Sequence, residues 1–342
     1  MKVLSKNPLV SVICVVYNGQ KYLRNCLKSV RNQTYGNTEV IIFDNNSTDE
    51  TSDIAQKEFP QFKYIKSDKN LGMWPGQEKA IWQNSSGDII ACISVDIILE
   101  PYFIEKCVNK FIEDSSIGAI QAKIYQYKMD SENKPILERK IIDTCGFKLH
   151  HSRKLENIGH GQEDGPKFNN EAIIFGVEGA VPVFQRQALE DIKVEGHFVD
   201  NDYFWYADDF DIAWRMNIFG WKQIFLPSAI AHHDRQTTKS HRKSNIDFIK
   251  IRSAVPMHKR RLDYRNTIFT IIKNDFSINI LKDIIPILLR QIELWIYFII
   301  FETSMILEIP VIIKKLPTML HRRRLVMAKA KISAKEFYKC LH

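Results

Sequence analysis

Residues 9–17 (LVSVICVVY) are apolar at nearly every position and rich in β-branched side chains, the pattern of a strand covered on both faces of a parallel sheet. Asn18-Gly19 turns the chain, and residues 21–32 put Tyr22, Leu23, Cys26, Leu27 and Val30 on one face of a helix. A second buried strand follows at 39–43 (EVIIF), ending at Asp44, and then a helix over 47–58 with Ser47 or Thr48 placed to cap it. The pattern predicts a third strand at 62–66, a third helix at 75–84 after a glycine-containing turn, and a fourth strand at 89–95 that ends at Asp96. Repeated strand–helix alternation argues an α/β fold, a mostly parallel sheet flanked by helices.

Asn18, Asp44 and Asp96 each stand just past a predicted strand, and ligands of open α/β sheets bind beyond the carboxyl ends of the strands. Periodicity alone therefore gathers three polar residues at one crevice. No G-x-G-x-x-G follows the first strand and no G-x-x-x-x-G-K-[ST] occurs, which argues against a dinucleotide dehydrogenase and a P-loop nucleotide hydrolase. From residue 121 to about 176 the pattern weakens. Short strand-like pieces at 123–127 and 140–143 alternate with polar stretches, reading as an irregular β-rich region that shapes a pocket. A second compact block runs over 175–233, and the chain from 240 to 274 is basic and polar, then helical. The organisation expected is 1–120, 121–245 and 246–342, the last a helical, basic, membrane-associating segment.

Charge sharpens the last of these. The 342 residues carry a net charge of +8, and the final 29, from Lys314 on, hold nine basic residues against Glu336 alone. The rest of the chain is neutral, so it reads as a neutral globule with a basic tail. Nucleic-acid binders line a groove of the folded domain with Lys and Arg, and no such pattern appears; anionic lipid headgroups suit a basic tail better. Upstream, residues 294–301 are uncharged but interrupted nearby by Arg290, Glu293 and Glu302, short of the ~18 uncharged residues a spanning helix wants. Asp283, Arg290 and Glu293 fall on one stripe of an otherwise apolar helix, which predicts an amphipathic extension lying in a membrane interface. No signal-peptide core opens the chain, so the expected place is the cytoplasm, peripheral on the inner face of the plasma membrane. The six cysteines show no C-x-x-C spacing and read as small buried hydrophobes in a reducing compartment.

The densest acidic cluster, Asp200, Asp202, Asp208, Asp209 and Asp211, lies among Phe198, Tyr203, Phe204, Trp205, Tyr206 and Phe210. Carboxylates among aromatic rings lose hydration, which raises their pKa and suits a general base; an acidic first turn of a helix is the other reading, with Asp208 or Asp209 as a cap. Asp96, with His233 or His232 of PSAIAHHD, could hold a Mg²⁺- or Mn²⁺-type ion with few protein ligands.

In order and spacing, these elements resemble glycosyltransferase family 2, particularly its rhamnosyltransferase-like bacterial members. The carriers are VSVICVVYNGQKYLRNCLKSVRNQTY, VIIFDNNSTDET, NLG at 70–72, SVDIILEP at 94–101 and VEGAVPVFQRQAL at 177–189. FVDNDYFWYADDFDIAWRMNIFGW, LPSAIAHH, YRN at 264–266 and KN at 273–274 complete the set. The resemblance implies a GT-A-type, Rossmann-like fold with a C-terminal amphipathic helical extension, its nucleotide-sugar-binding half over 1–120 and its acceptor-binding and catalytic half over 121–245. It also implies transfer of a sugar, rhamnose among the candidates, from a nucleoside-diphosphate donor with inversion at the anomeric carbon. The acceptor would be a glycan hydroxyl, on a polyprenyl-linked chain of a bacterial surface polysaccharide. By the same resemblance Asp44, Tyr17, Asn18, Asn70, Gly72, Asp96 and Gly179 bind the donor, and Asp96 with His233 binds the metal. Asp209 is the catalytic base with Asp208 as its partner, and Trp205 and Tyr206 face the acceptor. Three positions depart from the pattern: Ser94 where Asp or Asn is usual, Met73–Glu78 in place of a glycine-rich continuation, and Asp208 for the commoner Glu, expected to keep the charge. A nucleotidyltransferase, which wants a Gly-rich basic loop after the first strand, and a non-catalytic membrane scaffold with a degenerate site are the alternatives.

Overall fold

The computed structural model describes residues 4–235 and 245–342. Beginning at the N-terminal end, its elements are β1 (Val10–Val16), α1 (Leu23–Arg31), β2 (Thr38–Asp44), α2 (Thr51–Glu58), β3 (Lys63–Lys66), α3 (Met73–Asn84), β4 (Ile89–Ser94), β5 (Ile97–Leu99) and α4 (Phe103–Glu113). The middle of the chain adds β6 (Ile117–Gln126), β7 (Lys128–Met129), β8 (Pro135–Ile136), β9 (Ile142–Thr144), β10 (Phe147–Leu149), β11 (Leu155–Asn157), β12 (Ala172–Ile173), β13 (Val183–Gln185) and α5 (Arg186–Asp191). Then come α6 (Asp208–Ile218), β14 (Lys222–His233), α7 (Asn245–Ser253), α8 (Met257–Asn274), α9 (Ser277–Lys282), α10 (Ile284–Phe301), α11 (Glu308–Ala328) and α12 (Ala334–Tyr338).

The sheet runs β12-β14-β6-β13-β4-β1-β2-β3, with β5 against β14 and β9 against β6. β1 pairs in parallel with β2 and β4, and β14 with β6, while β13 enters reversed between β4 and β6. Alternation along β1 sends Ile13 and Val15 to a core shared with α3, α5 and α6, and Val12, Cys14 and Val16 to one shared with α1, α2 and α4. All six cysteines are free thiols; five are buried and Cys340 is partly exposed.

Several local expectations are corrected. The helix expected at 47–58 starts only at Thr51, and its N-cap position, Glu50, makes no side-chain cap bond. Ser47 and Thr48 stitch the turn after β1 instead: Ser47 Oγ accepts from Asn18 N at 3.0 Å, and Thr48 N donates to Asn18 Oδ1 at 2.9 Å. The stretch read as irregular from residue 121 holds β6, ten residues long and almost wholly buried. Its buried Gln121 and Lys123 disguise it. Gln121 Oε1 accepts from Glu178 N at 2.7 Å and Lys123 Nζ reaches Asp164 at 3.1 Å, so polar residues sit inside the sheet because each has a partner.

The basic tail is not free. Arg322 pairs with Glu195, Asp200 and Asp202, Lys315 with Asp202, and Lys331 with Asp191. Two of the tail's nine basic side chains are thus tied to the acidic loop ahead of α6. Phe337 stacks on Trp214 of α6 at 5.5 Å, and Val326 and Leu341 enter the same core. The polar stripe expected on α10 also splits: Asp283 is buried against Arg153 and Arg290 turns inward toward Ser152, while Glu293 is exposed. Among the described residues α10 is the one helix long and apolar enough to cross a membrane, with mean hydropathy 1.8. The part of the expected 240–274 segment up to residue 244 lies outside the described residues.

Candidate functional site

β5 pairs antiparallel with the end of β14 and sets Ile97 opposite His233, which brings Asp96, the residue before β5, to the histidine. His233 Nε2 lies 3.4 Å from Asp96 Oδ2, and Nδ1 lies 2.8 Å from Asp143 Oδ2. Arg235 reaches both oxygens of Asp143, at 2.8 and 3.0 Å, and Glu178 Oε1 at 2.8 Å. Burial alone would raise the Asp143 carboxyl, but Arg235 and His233 hold it far below the usual carboxylate range. Burial would likewise lower His233; Asp96 and Asp143 outweigh it and push the imidazole up to about 10. The pleat of β14 decides between the two histidines. His232 points to the other face, with Nε2 3.2 Å from Glu100 and its ring 5.8 Å from that of Tyr125.

The acidic cluster is organised by a backbone turn. Tyr206 and Ala207 both take positive φ, 70° and 65°, and swing the chain into α6 so that Asp208 and Asp209 open its first turn. Neither caps it, since Ala207 holds the N-cap position. Asn266 of α8 clamps the turn, its Nδ2 donating to the carbonyls of Trp205 and Tyr206 at 2.9 and 3.0 Å. Asp209 Oδ1 accepts from Phe210 N at 2.9 Å and Oδ2 from Gly179 N at 3.3 Å. Burial, then the nearby Glu178, push its carboxyl up to about 7 against those two N–H groups and Arg235. Asp208 differs from expectation. It is buried, and neither carboxylate oxygen has a hydrogen-bond partner among the described residues. Burial, with Asp209, Asp211 and Asp200 around it, pushes its carboxyl well above the ordinary range, which works against the charge expected at this position.

Asp96, His233 and Arg235 line the same cavity as Glu178, Gly179 and Asp209, a space of about 600 Å³. Trp205 and Tyr206, stacked at 5.6 Å, form part of its wall, and α8 and α10 contribute Lys259, Asp263, Thr267 and Arg290. The expected donor residues Tyr17, Asn18, Asp44, Asn70 and Gly72 are not part of that lining. Tyr17 is exposed at the end of β1. Asp44 ends β2 fully buried, its carboxylate accepting from Tyr64 Oη at 2.6 Å and Ser47 N at 2.7 Å, so it does not lie open to a nucleobase with Tyr64 in this position. Asn70 Oδ1 accepts from Asn45 Nδ2 and Gly72 N, at 3.0 and 2.9 Å. Gly72 has φ +90°, and a Cβ there would stand 2.6 Å from the carbonyl oxygen of Phe204. The 70–72 turn therefore buttresses the loop that leads to Asp209.

A divalent ion would find two protein donors here. Among the described residues no group of three or more His, Cys, Asp or Glu side chains is spaced to hold one. The 3.4 Å between Asp96 Oδ2 and His233 Nε2 is close to the ~3 Å between adjacent ligands of an octahedral ion with bonds of about 2.1 Å. His233 is held through Nδ1 by a carboxylate, as metal-ligating histidines commonly are. The pair fits such an ion once Nε2 gives up its proton to make room for it, with the remaining positions open to phosphate oxygens and water.

Asp143, Glu178, Arg235 and Asn266 were not assigned from the sequence. Glu178 sits inside VEGAV, Arg235 lies two residues past the histidine pair and Asn266 falls in YRN, so each had a nearby signal. Asp143 closes the strand-like piece expected at 140–143, and β9 begins at Ile142, but nothing local pointed that side chain at His233.

With this geometry in place, residues 11–174 match the family model described as glycosyl transferase family 2. Chondroitin synthase of Escherichia coli is 35% identical over 159 residues, which are 44% of this chain and 23% of that protein. The chain thus spans about a quarter of that relative's length. GalNAc-T7, solved with UDP, GalNAc and Mn²⁺, superposes with a TM-score of 0.57 at 12% identity, covering 78% of this chain and 48% of that one. The mannosyltransferase PcManGT of Pyrobaculum calidifontis, solved with GDP-Man and Mn²⁺, gives 0.51 at 16% identity over 98% and 79% of the two chains. At such identities these likenesses establish the fold, which is GT-A with C-terminal helices added.

Proposed function

We propose, from the premise that this chain is a family 2 glycosyltransferase through residues 11–174, that it moves a sugar from a nucleoside diphosphate to an acceptor hydroxyl with inversion. The observation that carries the reading is the sharing of one cavity by Asp96, His233 and Asp209, a diphosphate-facing pair and a base that one sugar can span. Asp209, tuned to about 7, accepts the proton of the attacking hydroxyl on the face opposite the leaving group. The N–H groups of Phe210 and Gly179 fix the direction of its carboxylate. Arg235 places positive charge beside the departing diphosphate, and Trp205 and Tyr206 offer stacked rings to a sugar of the acceptor. Asp96 and His233 would hold a Mg²⁺ or Mn²⁺ ion, whose chemistry there is to neutralise the leaving diphosphate. One displacement suffices, so no covalent sugar–enzyme intermediate forms.

The acceptor side is read as a glycan on a polyprenyl carrier at the cytoplasmic membrane face. What supports this is the outer face of α9, α10 and α11. Leu281, Ile285, Leu288, Ile292, Ile299 and Ile313 are all more than half exposed there, with Lys282 and Lys314 exposed beside them. The reading is tested by a screen of nucleoside-diphosphate sugars, rhamnose included, with Mn²⁺ or Mg²⁺ and a bacterial lipid extract, scoring nucleoside-diphosphate release and label in lipid. Release and transfer by the wild type and their loss in Asp209→Asn support it; absence of any nucleoside-diphosphate binding would leave a non-catalytic scaffold.

A further inference from the structure

Among the described residues, the arginines of α7, α8 and α10 are neutralised by carboxylates with one exception. Arg252 and Arg260 pair with Glu302, and Arg261 and Arg265 with Glu308. Arg290 of α10, facing the cavity, has no carboxylate within 4 Å among the described residues; its one protein contact is the carbonyl of Ser152 at 3.4 Å. Lys259, across the same cavity wall on α8, likewise has no carboxylate partner and lies 4.0 Å over the ring of Trp205. Burial lowers the Arg290 guanidinium, and the charges of Asp263 and Glu293 offset this only in part. Asp263, one turn beyond Lys259, is the carboxyl facing them. Its side chain is half exposed and pairs with Arg252 Nη1 at 3.8 Å, so its charge is turned toward that arginine.

We propose that Lys259 and Arg290 form an anion subsite that receives a phosphate carried by the acceptor, making the substrate a lipid phosphate or diphosphate rather than a bare glycan. The proposal rests on the transferase reading above and assigns the acceptor its recognition chemistry. Guanidinium and ammonium groups are the side chains suited to phosphate, the first bidentate and the second as a point charge. The donor's own diphosphate is accounted for by Asp96, His233 and Arg235, so this second cationic pair serves another anion. The lipid follows from where Arg290 stands. It lies between Leu289 and Ile292, both more than half exposed on the outer face of the same helix. A helix is about 10 Å across, so a phosphate seated on Arg290 leaves its hydrocarbon chain one helix width from that apolar face.

The probe is farnesyl phosphate, titrated calorimetrically into the full chain with and without saturating nucleoside diphosphate and Mn²⁺, alongside farnesol and inorganic phosphate. Farnesyl phosphate binds at least tenfold more tightly than either control, and the double variant Lys259→Gln, Arg290→Gln loses at least tenfold of that affinity. Arg290→Lys, which keeps the charge and guards against misfolding, recovers part of it. Equal binding of farnesyl phosphate and farnesol, or unaltered binding by the double variant, overturns the subsite. Equal binding of inorganic phosphate overturns its assignment to a lipid. If the wild type binds no nucleoside diphosphate, the transferase reading fails instead, and the arm without nucleotide still decides the subsite.

Discussion

Replacing Asp209 with asparagine keeps the shape of the side chain and removes the base, and its effects on rate and stability run in opposite directions. The carboxyl is raised from an ordinary value near 4 to about 7 by burial and Glu178. Between those two pH values the folded state holds a proton that the unfolded chain has released, so stability falls as pH rises, by about 1.4 kcal/mol per unit. Above pH 7 the full cost of the buried charge is as much as ~4 kcal/mol. The amide is spared it. With its oxygen on Phe210 N, however, its NH₂ faces Gly179 N, which forfeits roughly 1 kcal/mol. Urea denaturation at pH 8 should therefore find Asp209→Asn more stable than the wild type by about 3 kcal/mol, with the gap closing by about 2–3 kcal/mol at pH 5. Transfer should drop by roughly 10²- to 10⁴-fold, the usual contribution of a general base. In the wild type the rate should climb through about pH 7 and level off as Asp209 ionises. Wild type and variant unfolding in parallel at both pH values would refute the burial argument, and equal rates would refute the base.

Asp143→Asn removes the group that orients His233 and Arg235, and should weaken Mn²⁺-dependent nucleoside-diphosphate binding by about 10- to 100-fold, read by calorimetry across a Mn²⁺ series. Arg322→Ala leaves Asp200 and Asp202 short of a partner and should cost roughly 2–4 kcal/mol in chemical denaturation. Gly72→Ala drives a Cβ toward the Phe204 carbonyl at positive φ. Slower transfer with a lower melting midpoint is expected, and unchanged values would show that the two loops move independently. Leu288→Glu with Ile292→Glu alters only exposed positions of α10, so melting should hold while co-sedimentation with anionic vesicles falls at least tenfold.

Strands β1, β2 and β4 were legible because a strand buried on both faces writes an unbroken apolar run, but of the polar residues at their ends Asp96 lines the cavity while Asn18 and Asp44 do not. β6 was legible only at its end, as the strand-like piece at 123–127, because its interior carries Gln121 and Lys123, and only their distant partners Glu178 and Asp164 make them tolerable there. The reversed insertion of β13 and the resulting meeting of Asp96, His233 and Asp143 depend on pairings between residues far apart in the chain, which no local period records. The pairing of Asp209 with aromatic neighbours was readable as desolvation, yet the same reasoning could not separate it from Asp208. Both residues line the cavity, and what separates them is hydrogen bonding: Asp209 accepts from two backbone N–H groups while the Asp208 oxygens are buried without a partner among the described residues. The basic C-terminal residues were visible as charge, but not as ties to Glu195, Asp200 and Asp202, since those acids are more than a hundred positions away.

The doubled left-handed turn at Tyr206 and Ala207 also bears on how readily this doorway can be remodelled. Each non-glycine residue in that conformation sits about 1–2 kcal/mol above its relaxed state, and Asn266 supplies the restraint that keeps both there. Glycine at 207 relieves that load, whereas valine, isoleucine or threonine deepens it. Libraries that diversify the vestibule should therefore admit few side chains at this hinge, and new specificities are more accessible through the straight helical wall opposite.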